Sequence, residues 1–222
     1  MKNPLAPEWL VAPSDLNAVD ARVWPRTAKR NTHGELTVGD VAVSTLMRQY
    51  GSPLYVVDQE DFETRLLSIK RAFSDAANKI GTTAKLYYAS KALLTADVVR
   101  WVIDAGLSVD VSTGGELAVA LAAGAKGERL GLHGNNKSLV EIGKAIASDV
   151  GAIVIDSELE IERIASVAAA AGKTQAVRLR VNSGVHAHTH EHLATAREDQ
   201  KFGVALTDVP DLVSKIRSHS HL

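Results

Sequence analysis

From Pro53 onward the chain repeats one unit, a short apolar run followed by a polar turn and an amphipathic stretch, and this alternation limits its possible folds more than any other feature. Leu54–Val57, Ala84–Ser90, Leu107–Val111, Arg129–Leu132, Ala152–Ile155 and Gln175–Val181 read as strands. Helix-forming runs stand behind them. Asp58 is a candidate N-cap for a run to about Ala77, and a second run covers Ala92 to Ala105 and stops at Gly106. Thr113 with Glu116, Ser138 with Glu141 and Ser157 with Glu160 have the spacing of capping boxes, and Gly124 and Gly172 mark stops. Ile161, Ile164, Ala165 and Ala168 fall on one helical face. A last helical run extends from Asp208 to about Arg217.

Strands that alternate with helices pair in parallel, because each crossover helix returns the chain to the same end of the sheet. Parallel sheets are covered on both faces, so their strands read as continuous apolar runs. An open doubly wound sheet and an eight-stranded barrel both satisfy this pattern. No Gly-x-Gly-x-x-Gly follows the first strand, which removes the main support for a dinucleotide-binding sheet. The sequence therefore predicts an α/β fold, a TIM-type (β/α)8 barrel that is incomplete, with about six strand–helix units within residues 36–222. Leu36–Val38 reads as a short strand and Val41–Tyr50 as a helix ended by Gly51. Residues 1–35, proline-rich with Trp9 and Trp24, predict an N-terminal arm that packs on another domain.

Charge and composition exclude several classes of partner. Twenty-five Lys and Arg against 26 Asp and Glu leave a net charge of −1, and no run of like charge is long enough to hold nucleic acid or a membrane surface. The absence of cysteine rules out disulfides, a cysteine nucleophile and thiolate metal sites. No stretch approaches the roughly eighteen apolar residues of a membrane span, and Pro4, Pro7 and Pro13 interrupt any signal-peptide core. The expectation is a cytoplasmic protein without nucleic-acid or membrane partners.

The chemistry concentrates where strands end. Lys91 closes Tyr88-Ala89-Ser90-Lys91, and a polar side chain at the C-terminal end of a barrel strand points into the mouth where active sites form. A lysine there can form a Schiff base if its amine is held unprotonated. Asp110, in Asp110-Val111-Ser112-Thr113-Gly114-Gly115-Glu116, would face the same mouth and could hold a cation. Gly114 and Gly115 permit close backbone approach at a helix N-terminus. His133, opening His133-Gly134-Asn135-Asn136-Lys137, ends the fourth strand. Arg180 lies inside the sixth strand, where an unpartnered charge is costly, so a phenolate, carboxylate or phosphate should stand close by. His186, His188, His190 and His192 alternate along one loop. A loop lacks the supporting hydrogen bonds that metal ligands need, so no metal is assigned there.

Those blocks, with Ala187-His188-Thr189-His190-Glu191 and Gln200-Lys201-Phe202-Gly203, resemble diaminopimelate decarboxylases from about Leu36 to the end of the chain. The resemblance implies a pyridoxal-phosphate enzyme on the alanine-racemase-like barrel that decarboxylates meso-diaminopimelate to L-lysine. It implies that Lys91 carries the cofactor, that Asp110 lies beside the linkage, that Arg180 approaches the cofactor's phenolic oxygen and that His133 lies close without bonding covalently. It also implies a homodimer for the complete enzyme. His186 and His192 depart from the family pattern. The family's chain continues through two further barrel units and a C-terminal β-domain, and this sequence corresponds to its N-terminal part. A related amino-acid racemase or decarboxylase on the same barrel, and an inactive fragment without a stable fold, remain alternative readings.

Overall fold

The computed structural model describes Pro7, Asp15, residues 17–182 and residues 202–222. Trp9, His186–His192 and Gln200-Lys201 lie outside the described residues. The chain forms two compact units that divide between Ser68 and Ile69.

In the first unit β1 (Lys29–Arg30), β2 (Leu36–Val38) and β3 (Val41–Ala42) form an antiparallel meander. The β2–β3 turn places Gly39 and Asp40 at φ 56° and 63°, positive at both central residues, the backbone twist that two-residue hairpins favour. Helix α1 (Val43–Tyr50) follows and ends at Gly51. Leu54–Val57 is not the expected strand. It joins no ladder among the described residues, and Tyr55 is 99% exposed. An apolar run specifies a strand only where a neighbour supplies the hydrogen bonds. Asp58 does cap α2 (Gln59–Lys79), its carboxylate accepting Asp61 N at 3.1 Å.

The second unit is built on a five-stranded parallel sheet in sequential order, β4 (Tyr87–Ala89), β5 (Ser108–Val111), β6 (Leu130–Leu132), β7 (Ala152–Ile155) and β8 (Val177–Leu179). Between them run α3 (Ala96–Asp104), α4 (Gly114–Ala122), α5 (Leu139–Ala147) and α6 (Glu158–Ala170). Val109, Val111, Leu130, Leu132, Ile153 and Ile155 are fully buried. Each large aliphatic side chain removed from water in this way contributes about 1.5–3 kcal/mol. In β5 these residues alternate with Ser108 and Asp110, so the uniform apolar run predicted for every strand holds for β7 but not here.

All four crossover helices end alike. Leu107 N donates to Val102 O, Ala125 N to Ala120 O, Val150 N to Ala145 O and Lys173 N to Ala168 O, the 6→1 bond of a Schellman motif. Its left-handed residue is Gly106, Gly124 and Gly172 as expected, and after α5 it is Asp149 at φ 55°, a residue type that tolerates that region.

Several boundaries shift. Strand β4 is shorter than Ala84–Ser90, because its ladder begins only at Tyr87 opposite Ser108. The run Ala92–Ala105 opens late. Ala92 N donates to Ala89 O in a turn, and α3 starts only after Thr95, whose hydroxyl accepts Val98 N at 3.2 Å. The run Gln175–Val181 is not one strand with Arg180 inside it: β8 ends at Leu179, Arg180 stands outside both ladders, and β9 (Val181–Asn182) pairs in parallel in a separate sheet with β10 (Val204–Ala205), a strand too short to read from sequence, before α7 (Val209–Ser218).

Candidate functional site

Parallel pairing brings the predicted residues to one end of the sheet. Ala89 pairs with Asp110 and Asp110 with Gly131, so Lys91, Asp110 and His133 follow one another across β4, β5 and β6, and Arg180 follows β8. Lys91 sits in the exposed turn after β4 rather than on the strand. Asp110 and His133 meet directly. The imidazole Nδ1 lies 2.7 and 2.8 Å from the two carboxylate oxygens, and because an ionised carboxylate can only accept, Nδ1 carries the proton. Lys91 has no hydrogen-bonded or ionic partner among the described residues.

Arg180 has the carboxylate its position demanded. Its guanidinium donates to Asp156 Oδ1 at 2.9 Å and stands 5.0 Å from the centre of the Phe202 ring. An open cleft of about 610 Å³, lined among others by Asn135, Asp156, Gly203 and Asp208, adjoins this pair. One pleat below Asp110, the Tyr87 hydroxyl accepts from Arg178 at 2.9 Å. Burial works to raise the phenol's pKa, and the opposing bonds from Lys85 and Arg178 leave it below its ordinary value. Gly131 accommodates both groups, since a Cβ there would lie 3.3 Å from Tyr87 Cε1 and 3.5 Å from Asp110 Oδ1.

A repeated device that sequence reading missed holds this mouth. The glutamates that looked like capping-box partners also reach into the preceding strand–helix unit. Glu116 Oε2 accepts Ser90 Oγ and Ser112 N, both at 2.6 Å, tying the turn that carries Lys91 to the loop after Asp110. Glu141 completes a true capping box with Ser138 and also accepts Gly114 N at 2.8 Å. Bonds from Ser138 N, Gly114 N and the Ser138 hydroxyl hold its carboxyl below the usual range. Ser157 and Glu160 make no box. Ser157 gives α6 no side-chain cap, and the Glu160 carboxylate bonds Lys137 and Asp156 N instead. Asp156, Lys137 and these glutamates carried only a capping signal or none in the sequence.

A family model described as the pyridoxal binding domain of pyridoxal-dependent decarboxylases matches residues 66–222. The chain belongs to this family. Diaminopimelate decarboxylase of Mycobacterium tuberculosis is 46% identical over 184 residues, 83% of this chain and 40% of the relative. That of Mycobacterium leprae is 42% identical over 205 residues, 92% of the chain and 42% of the relative. That of Bacillus subtilis is 41% identical over 180 residues, 81% and 40% respectively. The chain thus spans about 40% of the length of these relatives. The crystal structure of the M. jannaschii diaminopimelate decarboxylase superposes with a TM-score of 0.77 at 25% identity, covering 88% of this chain and 45% of that one. The Helicobacter pylori diaminopimelate decarboxylase complexed with L-lysine gives 0.70 at 23% identity, covering 81% and 44%. The five-stranded sheet is accordingly part of an alanine-racemase-like barrel.

The residues present fit a pyridoxal group. An amine without an ionic partner among the described residues, a carboxylate with its imidazole and a guanidinium stand at the ends of β4, β5, β6 and β8. Ser112 Oγ, beside them, is buried without a hydrogen-bond partner.

Proposed function

We propose that this chain supplies the cofactor-holding part of an enzyme that decarboxylates meso-2,6-diaminopimelate to L-lysine and carbon dioxide. The observation that carries the reading is the convergence of Lys91, Asp110, His133 and Arg180 on one end of the sheet. In the reaction the bond from the substrate's α-carbon to its carboxylate carbon breaks, carbon dioxide leaves, and a proton takes its place on that carbon. Pyridoxal phosphate, when bound, supplies a conjugated ring that accepts the electron pair left behind.

The chain's own residues orient and polarise. Lys91 would hold the cofactor through its amine, and its place in a turn pinned through Ser90 by Glu116 limits where that amine can reach. Asp110 would lie beside the linkage and favour its protonated form by charge, while its bond to His133 fixes the carboxylate's direction. Arg180, steadied by Asp156, would face the phenolic oxygen. The complete enzyme would be a cytoplasmic homodimer, a reading supported by the family resemblance.

The test is reduction with borohydride after mixing the chain with pyridoxal phosphate, with peptide mass mapping of the wild type and Lys91→Ala. A single modified residue, Lys91, with no modification in the variant, is the expected result. Modification scattered over many lysines and unchanged by the substitution would overturn the proposal.

A further inference from the structure

We infer that Glu160 is the positioning residue for the arginine side of the site, setting Arg180 through Asp156 and the His133 loop through Lys137. The inference rests on the reading that Arg180 meets the cofactor. Glu160 is 1% exposed and Lys137 2%. Its Oε1 accepts Lys137 N at 3.1 Å, and its Oε2 accepts Lys137 Nζ at 2.8 Å and Asp156 N at 2.9 Å. The Lys137 amine also donates to Gly134 O at 2.6 Å, which closes the loop behind His133. Asp156, 4% exposed, holds the Arg180 guanidinium at 2.9 Å. One buried carboxylate therefore fixes the loop after β6 and the residue after β7 that grips Arg180.

Two simpler roles explain less. A helix cap accounts only for the bond from Asp156 N, just ahead of its own helix, whereas the other two bonds reach Lys137, 23 residues away. A stabilising ion pair is a weak reason to bury two charges, since apolar residues of similar volume commonly stabilise as well or better. What an apolar pair cannot do is accept two backbone N–H groups from different segments, Lys137 at the entry to α5 and Asp156 at the end of β7. Placement is the property that requires a carboxylate here.

The test compares the wild-type chain with Glu160→Leu and with the double substitution Glu160→Leu/Lys137→Met, which removes both buried charges. Four readouts are taken: the melting temperature, the Arg180 side-chain N–H resonance assigned with Arg180→Lys, the pyridoxal phosphate concentration giving half-modification of Lys91, and the pH midpoint of the bound cofactor's visible band. The single variant leaves Lys137 buried and unpaired and should melt early. The double variant should melt later than the single variant but below wild type, because Lys137 N and Asp156 N lose their acceptor, and its Arg180 resonance should join those of solvated arginines. Half-modification should need about tenfold more cofactor, the equivalent of one charged hydrogen bond lost from the site. The pH midpoint of the bound cofactor's visible band should also rise, because a cation no longer faces its phenolic oxygen. A folded double variant that keeps the wild-type Arg180 resonance overturns the inference, and so does one that fails to fold, since Glu160 would then be a core residue. If the wild type itself does not modify at Lys91, the functional proposal fails, and the Arg180 resonance still decides the link from Glu160.

Discussion

Glu141→Gln isolates what one of the inter-unit carboxylates contributes. The wild-type group accepts Gly114 N at 2.8 Å, Ser138 N at 2.9 Å and Ser138 Oγ at 2.8 Å. Glutamine has one acceptor oxygen and presents an N–H2 where the other stood, so it keeps either the Gly114 bond or the Ser138 bonds. Losing the Ser138 side weakens a helix cap, a loss of about 1 kcal/mol. Losing the Gly114 side leaves a half-buried N–H without an acceptor, at about the low end of 1–3 kcal/mol. Either way the variant should lose about 1–2 kcal/mol, roughly 2–8 °C in melting temperature for a chain of this size. The pH dependence separates charge from shape. The folded pKa of Glu141 lies below its ordinary 4.5, so its contribution is complete above that value and is lost as pH falls through the folded pKa. Glutamine does not titrate. In urea unfolding the gap between the proteins should be full near neutrality and shrink below pH 4.5. A gap of constant size would show that the charge is irrelevant, and no gap near neutrality would refute the bond across units.

Two further substitutions probe the scaffold and the lysine turn. Gly127→Ala places a Cβ 1.7 Å from Ser148 O and 2.7 Å from Asp149 O, backbone that cannot step aside, and should destabilise by more than about 3 kcal/mol. Chemical denaturation within about 1 kcal/mol of wild type would contradict that geometry. Ser90→Ala removes the 2.6 Å bond to Glu116 at a stability cost of about 1 kcal/mol. Modification of Lys91 by pyridoxal phosphate should slow several-fold, and an unchanged rate would show that the turn holds its place without Glu116.

Repeating structure was legible because it rests on local chemistry. Gly106, Gly124 and Gly172 announced helix ends that only a left-handed residue can make, and the same end after α5 was hidden because Asp149 fills it. The strand ends beside Asp110 and His133 followed from apolar runs, whereas Lys91, expected to close its strand, stands in the turn beyond β4, and Arg180, expected inside a strand, stands between β8 and β9. Leu54–Val57 shows the limit of that reasoning, since the same kind of run there finds no partner. The need for a partner at Arg180 was legible from the cost of burying its charge. Asp156 was not, because its selection depends on register between β7 and β8, where Val154 pairs with Arg178 and Ile155 with Leu179.

The glutamates explain why much of the site was hidden. A carboxylate at the third position of a helix is favoured by the positive end of the helix dipole, and the pattern Ser or Thr followed three residues later by Glu reports that preference alone. A carboxylate has about four lone-pair sites on its two oxygens, and a helix cap uses one or two of them. In a parallel barrel the loop of the preceding unit lies alongside, and its free N–H groups take the rest. Glu141 divides its oxygens in this way, Glu116 gives its bonds to Ser90 and Ser112, and Glu160 abandons its own cap. Each unit therefore places the loop of the unit before it. Residues of the site that never touch are held in common register, and a change at one helix N-terminus acts on a side chain carried by another strand.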